Sequence, residues 1–332
     1  MGQTGIIKNS LFIILICFFF SCSNEKKPVK KQNQEQTLKA IIIPNFNADS
    51  AYFYIQKQVD FGPRVPNTVG HTKCAQYLVE SFKRFGASVE VQEDVVERYD
   101  GLDMNMKNII ASYNPDEYRR VLLCAHWDTR FMADFDNTNI DQPIIGANDG
   151  GSGVGILLEI ARQIHANPIN IGVDIILFDV EDQGQPNGDV NLVKDSWCLG
   201  SQYWSKQPHE QNYFADYGIL LDMVGAKDAK FTKEGASMYY ASKVVDKVWN
   251  IARNNGFSEF FISQKTDPII DDHIYINNLI HIPTINIVEH DATTHNKFNK
   301  HHHKQSDDMQ IIDRKTLNAV GQTVLEVLYT EN

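Results

Sequence analysis

Three segments of this chain each pass from an unbroken apolar run straight into residues that can do chemistry. Val121-Leu122-Leu123-Cys124-Ala125 runs into His126-Trp127-Asp128, Asp174-Ile175-Ile176-Leu177-Phe178 into Asp179-Val180-Glu181-Asp182, and Tyr217-Gly218-Ile219-Leu220-Leu221 into Asp222. Short continuous apolar runs suit strands covered on both faces by helices. In open α/β sheets ligands sit beyond the carboxyl ends of such strands. One histidine and several carboxylates are therefore expected on one rim. Carboxylates crowded there repel one another unless a proton or a cation neutralises them, and a divalent metal is the economical answer.

Two further segments fit that rim. Asn148-Asp149-Gly150-Gly151-Ser152-Gly153 opens a helix. Its aspartate is either a cap or a metal ligand facing the rim. It is not a phosphate loop, because no Gly-Lys-Ser/Thr follows. The histidine-rich stretch from His295 to His303 leads into Lys304-Gln305-Ser306-Asp307. Composition does not choose among His301, His302 and His303, and most of these side chains belong to a solvated loop. Histidine with carboxylates and no thiol suits zinc with an open catalytic position.

The elements that must hold these residues alternate. Apolar spacing predicts helices from about residue 49 to Gly62-Pro63-Arg64 and over 68–85, stopped by Gly86. Strands follow at 88–98 and 107–113. Helices at 151–164 and 199–206 separate the three apolar runs. A long helix at 236–255, strands near Phe260 and at 284–288, and a closing helix at 314–329 complete the chain. The pattern predicts a three-layer α/β/α sandwich around a mixed, largely parallel central sheet.

Composition bounds the rest. The 332 residues are 42 % apolar and 22 % charged, ordinary for a globular chain with its own core. A net charge of −11 argues against nucleic acid as a partner. Of the five cysteines, Cys74, Cys124 and Cys198 lie in the body, too few and too scattered for a disulfide framework. Lys8 precedes an apolar run over 11–20, which is too short to span a bilayer and reads as a secretory h-region. Ser21-Cys22 after that run resembles the lipobox of bacterial lipoproteins, with Cys22 as the lipidated residue. The expected organisation is a signal peptide over 1–22, a polar tether over 23–47 and one catalytic domain over 48–332. The expected location is the periplasmic side of a bacterial cell envelope, anchored to a membrane by lipid.

Jointly, His126-x-Asp128, Asn148-Asp149-Gly150-Gly151-Ser152-Gly153, Glu181-Asp182, Leu221-Asp222 and a late His-x-x-x-Asp resemble the zinc aminopeptidase family with co-catalytic metals. Within it the chain resembles the glutaminyl cyclases of the animal-like type also found in bacteria. The segments that carry this are Ala125-His126-Trp127-Asp128-Thr129-Arg130, Leu220-Leu221-Asp222-Met223-Val224-Gly225 and Asp271-Asp272-His273. The resemblance implies zinc ligands Asp149, Asp182 and His303, the last because the family's histidine stands four residues before an aspartate, here Asp307. It implies Glu181 as general acid/base and Asp222 and Asp271 as substrate-holding residues, with Asp272 and His273 in support. Capping remains the alternative for Asp222 and Asp271. His126, Trp127, Trp197 and His302 are expected near the pocket, the tryptophans lining it or packing behind it. His302 stands where the animal enzymes carry tryptophan, and an insertion over 183–194 follows the catalytic pair.

The reaction so implied is cyclisation of N-terminal glutamine of peptides and proteins to pyroglutamate with release of ammonia, by a monomer with one zinc ion. A zinc aminopeptidase on the same scaffold would hold two, with His126 and Asp222 on the second and Asp149 bridging. An envelope binding protein that has lost catalysis is a third reading, and the intact Glu181 argues against it.

Overall fold

The computed structural model describes residues 42–186 and 191–331. The expected signal segment, its Cys22 and the tether up to residue 41 lie outside the described residues. Strands β1 (Ser88–Glu97), β2 (Asp103–Tyr113), β3 (Arg120–His126), β4 (Gly172–Phe178), β5 (Tyr217–Asp222) and β8 (Thr284–Val288) form one sheet in the order β1-β2-β4-β3-β5-β8. The pairs β3–β4, β3–β5 and β5–β8 are parallel, and β1–β2 and β2–β4 are antiparallel. β6 (Phe231–Lys233) and β7 (Phe261–Lys265) pair separately. All of them lie in the compact unit Ile41–Asn332.

The three layers follow from strand alternation. Val121, Leu123 and Ala125 of β3 point into one core with Ile175, Leu177, Ile219 and Ile285. Leu122 and Cys124 point into the other with Ile176, Phe178 and Leu220. The first core is closed by α1 (Ala48–Val59), α2 (Val69–Arg84), α3 (Gly151–Ala166), α5 (Gly235–Asn254) and α7 (Arg314–Glu331). The second is closed by α4 (Leu199–Lys206) and by the π-helical turn Ile276–Ile280 that continues α6 (Asp272–Tyr275).

Local chemistry sets the helix starts. Asn47 caps α1 by accepting from the Ser50 N–H at 3.0 Å, and Thr68 caps α2 through His71 N–H at 3.2 Å. On α1 the buried set is Ala51, Tyr54, Ile55 and Gln58, a single helical stripe. α3 is apolar and buried on nearly every side, as its place across the sheet requires. The structure extends β2 back to Asp103, because the hairpin closed by Arg98 N–H to the Leu102 carbonyl starts pairing there. β6 and the π turn escaped the sequence reading, since three and five residues are too short to show a period. α5 departs from helical geometry at Ala241. Among the described residues no helix is long and apolar enough to cross a membrane.

Candidate active site

Because β3, β4, β5 and β8 run parallel, the residues after each reach the same edge. A cavity of about 410 Å³ opens there. Asp149, Glu181, Asp182, Asp222, Asp271 and His303 all line it, with His302 and Trp197. Sequence reasoning missed several other lining residues, among them Asp134, Phe135, Ile270 and Phe298.

Asp149 does not cap α3. The cap position is Gly150, and no side chain bonds the first turn. Gly150 has φ +85°, and a Cβ there would meet the Asp128 carbonyl oxygen at 2.5 Å, so only glycine lets the loop turn this closely. Asp149 Oδ1 instead meets His126 Nε2 at 3.2 Å, while Oδ2 lies 3.7 Å from His303 Nε2 and 3.9 Å from His302 Nε2. Asp307 holds that loop in place: its carboxylate accepts from Asn148 N–H at 2.8 Å and Asp149 N–H at 3.0 Å. The aspartate four residues after the histidine is thus a positioning group.

Glu181 and Asp182 diverge through a turn. Val180 has φ +55°, a strained value for a β-branched residue, and it takes the chain out of the strand. This left-handed turn, rather than the alternation of an extended strand, separates the two side chains. Asp128 supports the turn, accepting from Glu181 N–H at 3.1 Å, Asp182 N–H at 3.2 Å and Gln183 Nε2 at 3.0 Å. Glu181 Oε1 accepts from the Cys198 thiol at 3.1 Å, and Asp182 Oδ1 meets His303 Nε2 at 3.0 Å. Asp179 faces inward, 2.8 Å from His71 Nε2, and is structural.

Within the histidine run the structure separates the three candidates. His303 is buried against Asp182, with its Nδ1 3.1 Å from Asp134 Oδ1. A carboxylate behind an imidazole fixes the ring's orientation and tautomer. Asp134 also pairs with Arg130 at 2.7 Å. His302 stacks on His303 at 3.7 Å, and His301 turns away to Ser306 Oγ at 2.7 Å. Trp197 lies parallel to His303 at 5.8 Å, under the Arg130 guanidinium at 4.4 Å. Gly184 makes room for that indole, since a Cβ there would come within 2.0 Å of it.

Of the two tryptophans only Trp197 lines the cavity. Trp127 is fully buried, stacks on His71 at 4.4 Å and donates its indole N–H to the Lys107 carbonyl at 3.1 Å, so it packs behind the site. Asp272 and His273 are also buried away from the cavity; His273 Nε2 faces Glu234 Oε2 at 3.3 Å. Asp271 does cap α6, through Asp272 N–H at 2.6 Å, and its other oxygen accepts from Asn286 Nδ2 at 2.6 Å. It therefore caps and lines the cavity together. Asp222 Oδ1 is held by His126 Nε2 at 3.2 Å.

Burial and crowding move the proton affinities apart. Burial, then Asp182, Asp271 and Asp272, push Glu181 well above the usual carboxylate range, against the pull of His126. Burial and Asp222 push Asp271 up to about 7, and burial and Asp149 push Asp182 up to about 6. Burial opposes the His126 imidazolium, yet Asp128, Asp149 and Asp222 hold it protonated. Likewise Asp182 and Asp134 raise His303 to about 9 against burial.

A divalent cation fits Asp149, Asp182 and His303. Asp149 Oδ2 and Asp182 Oδ2 are buried oxygens without a hydrogen-bond donor, an expensive state that a cation relieves. One imidazole and two carboxylates make a zinc-type set. Among the described residues, Asp149, His302 and His303 gather their donor atoms within 4.8 Å, so His302 stands beside His303 as a candidate ligand, and His126, Asp149 and Asp222 form another such triplet.

The chain is similar to known proteins along most of its described length. The model of peptidase family M28 matches residues 108–328. The glutaminyl cyclase of Tannerella forsythia is 51 % identical, with a TM-score of 0.85, over 87 % of this chain and 100 % of that one. A Zn-dependent exopeptidase from Parabacteroides distasonis is 50 % identical, with a TM-score of 0.86, over 87 % and 99 %. The glutaminyl-peptide cyclotransferase of Drosophila melanogaster is 27 % identical over 51 % of this chain and 46 % of its own length, so the chain spans about half of that curated relative. With its mixed six-stranded sheet and its acid-rich rim, the chain belongs to peptidase family M28.

Proposed function

We propose that the chain is a zinc-dependent glutaminyl cyclase, an aminoacyltransferase that converts N-terminal glutamine of peptides and proteins to pyroglutamate and releases ammonia. The observation that carries this reading is the trio Glu181, Asp222 and Asp271 beside the Asp149–Asp182–His303 set. Either reaction at a free N-terminus needs a base and an acceptor for the α-amine; ring closure also uses an acceptor that orients the departing amide nitrogen, and the trio offers all three. Likeness to solved glutaminyl cyclases across nearly their whole length supports it.

Asp149, Asp182 and His303 would hold the zinc ion, which would supply Lewis acidity toward the side-chain amide carbonyl. Glu181 takes a proton from the α-amine as its nitrogen bonds to the amide carbon. It returns a proton to the departing nitrogen as the C–N bond breaks and ammonia leaves. Burial, then Asp182, Asp271 and Asp272, raise its proton affinity against the pull of His126, the direction that suits a group that must both accept and return a proton. Asp222, clamped by His126, and Asp271, clamped by Asn286, hold the reacting nitrogens. Prepaid orientation of this kind is a large share of the acceleration available to an intramolecular reaction.

The His126–Asp149–Asp222 triplet favours one competing reading, a two-metal aminopeptidase. We further propose a monomer tethered through lipidated Cys22 to the envelope membrane on the periplasmic side. The test of the chemistry is Glu181→Gln. Turnover falls about 10²- to 10⁴-fold, the usual worth of a placed base, while zinc content holds. Full activity, or loss of zinc, contradicts the assignment.

A further inference from the structure

The catalytic cavity continues into a second groove. The two share Ile269, Ile270, Asn296 and Phe298, so one wall serves both. The groove has a volume of about 770 Å³, larger than the cavity that receives the first residue. Ile270, a large apolar side chain left 74 % exposed, stands on the shared wall.

Both sides of the groove are tied down by the fold. On one side, Glu234 caps α5 and also accepts from Ile269 N–H at 2.8 Å, while Thr232 Oγ1 bonds Thr266 Oγ1 at 2.7 Å. On the other, Asp291 N–H reaches the Lys297 carbonyl at 2.8 Å and Thr294 Oγ1 donates to the Phe298 carbonyl at 2.7 Å. A groove built this way is preformed, which lowers the ordering cost of binding a chain.

Its charge runs against that of the molecule. Lys265, Lys297 and His290 line it, against a single lining carboxylate among the described residues, Asp267. The whole chain carries −11. Both lysines are exposed, and among the described residues neither is paired with a carboxylate; Lys297 Nζ reaches only the Ala292 carbonyl, at 3.3 Å.

We infer that this groove receives the substrate residues that follow the N-terminal one, and that Lys265 and Lys297 select acidic side chains there. The inference rests on the reading that the site acts on peptide N-termini. A peptide whose first residue fills the cavity must send its chain out along a wall. The wall shared with the groove offers apolar contact at Ile270 and Phe298 and cations beyond it. Apolar contact supplies affinity for any sequence, and the lysines supply the difference between sequences.

The test compares Gln-Glu-Glu-Phe, Gln-Ala-Ala-Phe and Gln-Lys-Lys-Phe at low and high salt. Exposed charge pairs are weak individually, so two of them predict roughly a fivefold to tenfold advantage in kcat/KM for the acidic peptide over the basic one. The advantage lies in KM and shrinks at 0.5 M salt, where the Debye length falls to about 4 Å. In the double variant K265E/K297E the ratio of acidic to basic peptide inverts, with the alanine peptide as the internal reference for each protein. Equal kcat/KM for all three peptides, or a preference that survives charge reversal, overturns the inference while leaving the cyclase reading intact. If no Gln peptide cyclises, the cyclase reading itself fails. Affinities of the same peptides, measured by fluorescence anisotropy, then decide the groove: tighter binding of the acidic peptide supports it and equal binding overturns it.

Discussion

Zinc uptake by the metal-free protein should depend on pH in a way that His303 dictates. In that state Asp182 and Asp134 hold the imidazole protonated up to about pH 9, against the cost of burial. A metal ion needs the neutral ring, so it competes with a proton. The sign follows directly: below pH 9 the proton is on, and affinity rises as pH rises. At pH 7, two pH units below that value, only about one ring in a hundred is neutral, equivalent to about 2.7 kcal/mol withheld from binding. Apparent affinity should therefore climb about tenfold per pH unit between 6 and 9 and level off above. Below pH 6 the slope should steepen, because Asp182, raised to about 6, then carries a proton as well. Titration against a chromophoric chelator at several pH values measures this, and a pH indicator in weak buffer counts the proton released. An affinity that is flat from pH 7 to 8.5, with no proton released, would refute the reasoning. A slope of two from 7 to 8.5 would mean that His126 also gives up its proton, as a second metal at His126–Asp149–Asp222 requires.

Three further outcomes follow from the same geometry. His303→Ala should strip zinc and His301→Ala should not, since His301 faces Ser306; metal analysis showing the reverse order contradicts the placement. Asp128→Ala leaves the Glu181 and Asp182 backbone N–H groups without their acceptor, while Gln183 Nε2 keeps the Thr129 carbonyl. Thermal or urea unfolding should show a loss of about 2 kcal/mol or more, since each buried donor left unsatisfied costs about 1–3 kcal/mol; an unchanged midpoint would mean that the turn stands without Asp128. Cys22→Ala should move the protein from the membrane to the soluble envelope fraction or stall its processing, and unchanged membrane fractionation refutes the anchor.

The sheet and the rim were legible because burial on both faces writes an unbroken apolar run, and the residue after such a run can only sit at the strand's end. Thus 121–125, 174–178 and 217–221 lie in β3, β4 and β5, and His126, Glu181, Asp182 and Asp222 reach one edge. Side-chain direction was not legible in the loops. Nothing in the spacing told Trp127, packed on His71, from Trp197, lying along His303. Asp134 was missed because its partners Arg130 and His303 meet it through an irregular loop, where no period links position to direction. The choice among three consecutive histidines also turned on local backbone. His303 has φ +52°, and that left-handed twist accompanies its ring facing the cavity while His301 points out. Asp307 was noticed only as a spacing mark; its work is to hold the Asn148 and Asp149 amides.

The mass of the product bears most directly on whether this site cyclises or hydrolyses. The soluble domain, loaded with zinc, is incubated with a short Gln-initiated peptide, and the peptide is weighed by mass spectrometry. Cyclisation predicts a product lighter by one ammonia, with the peptide otherwise whole and no free glutamine in solution. A product shortened by its entire first residue, with free glutamine appearing in step, contradicts the cyclase reading and assigns the site to an aminopeptidase.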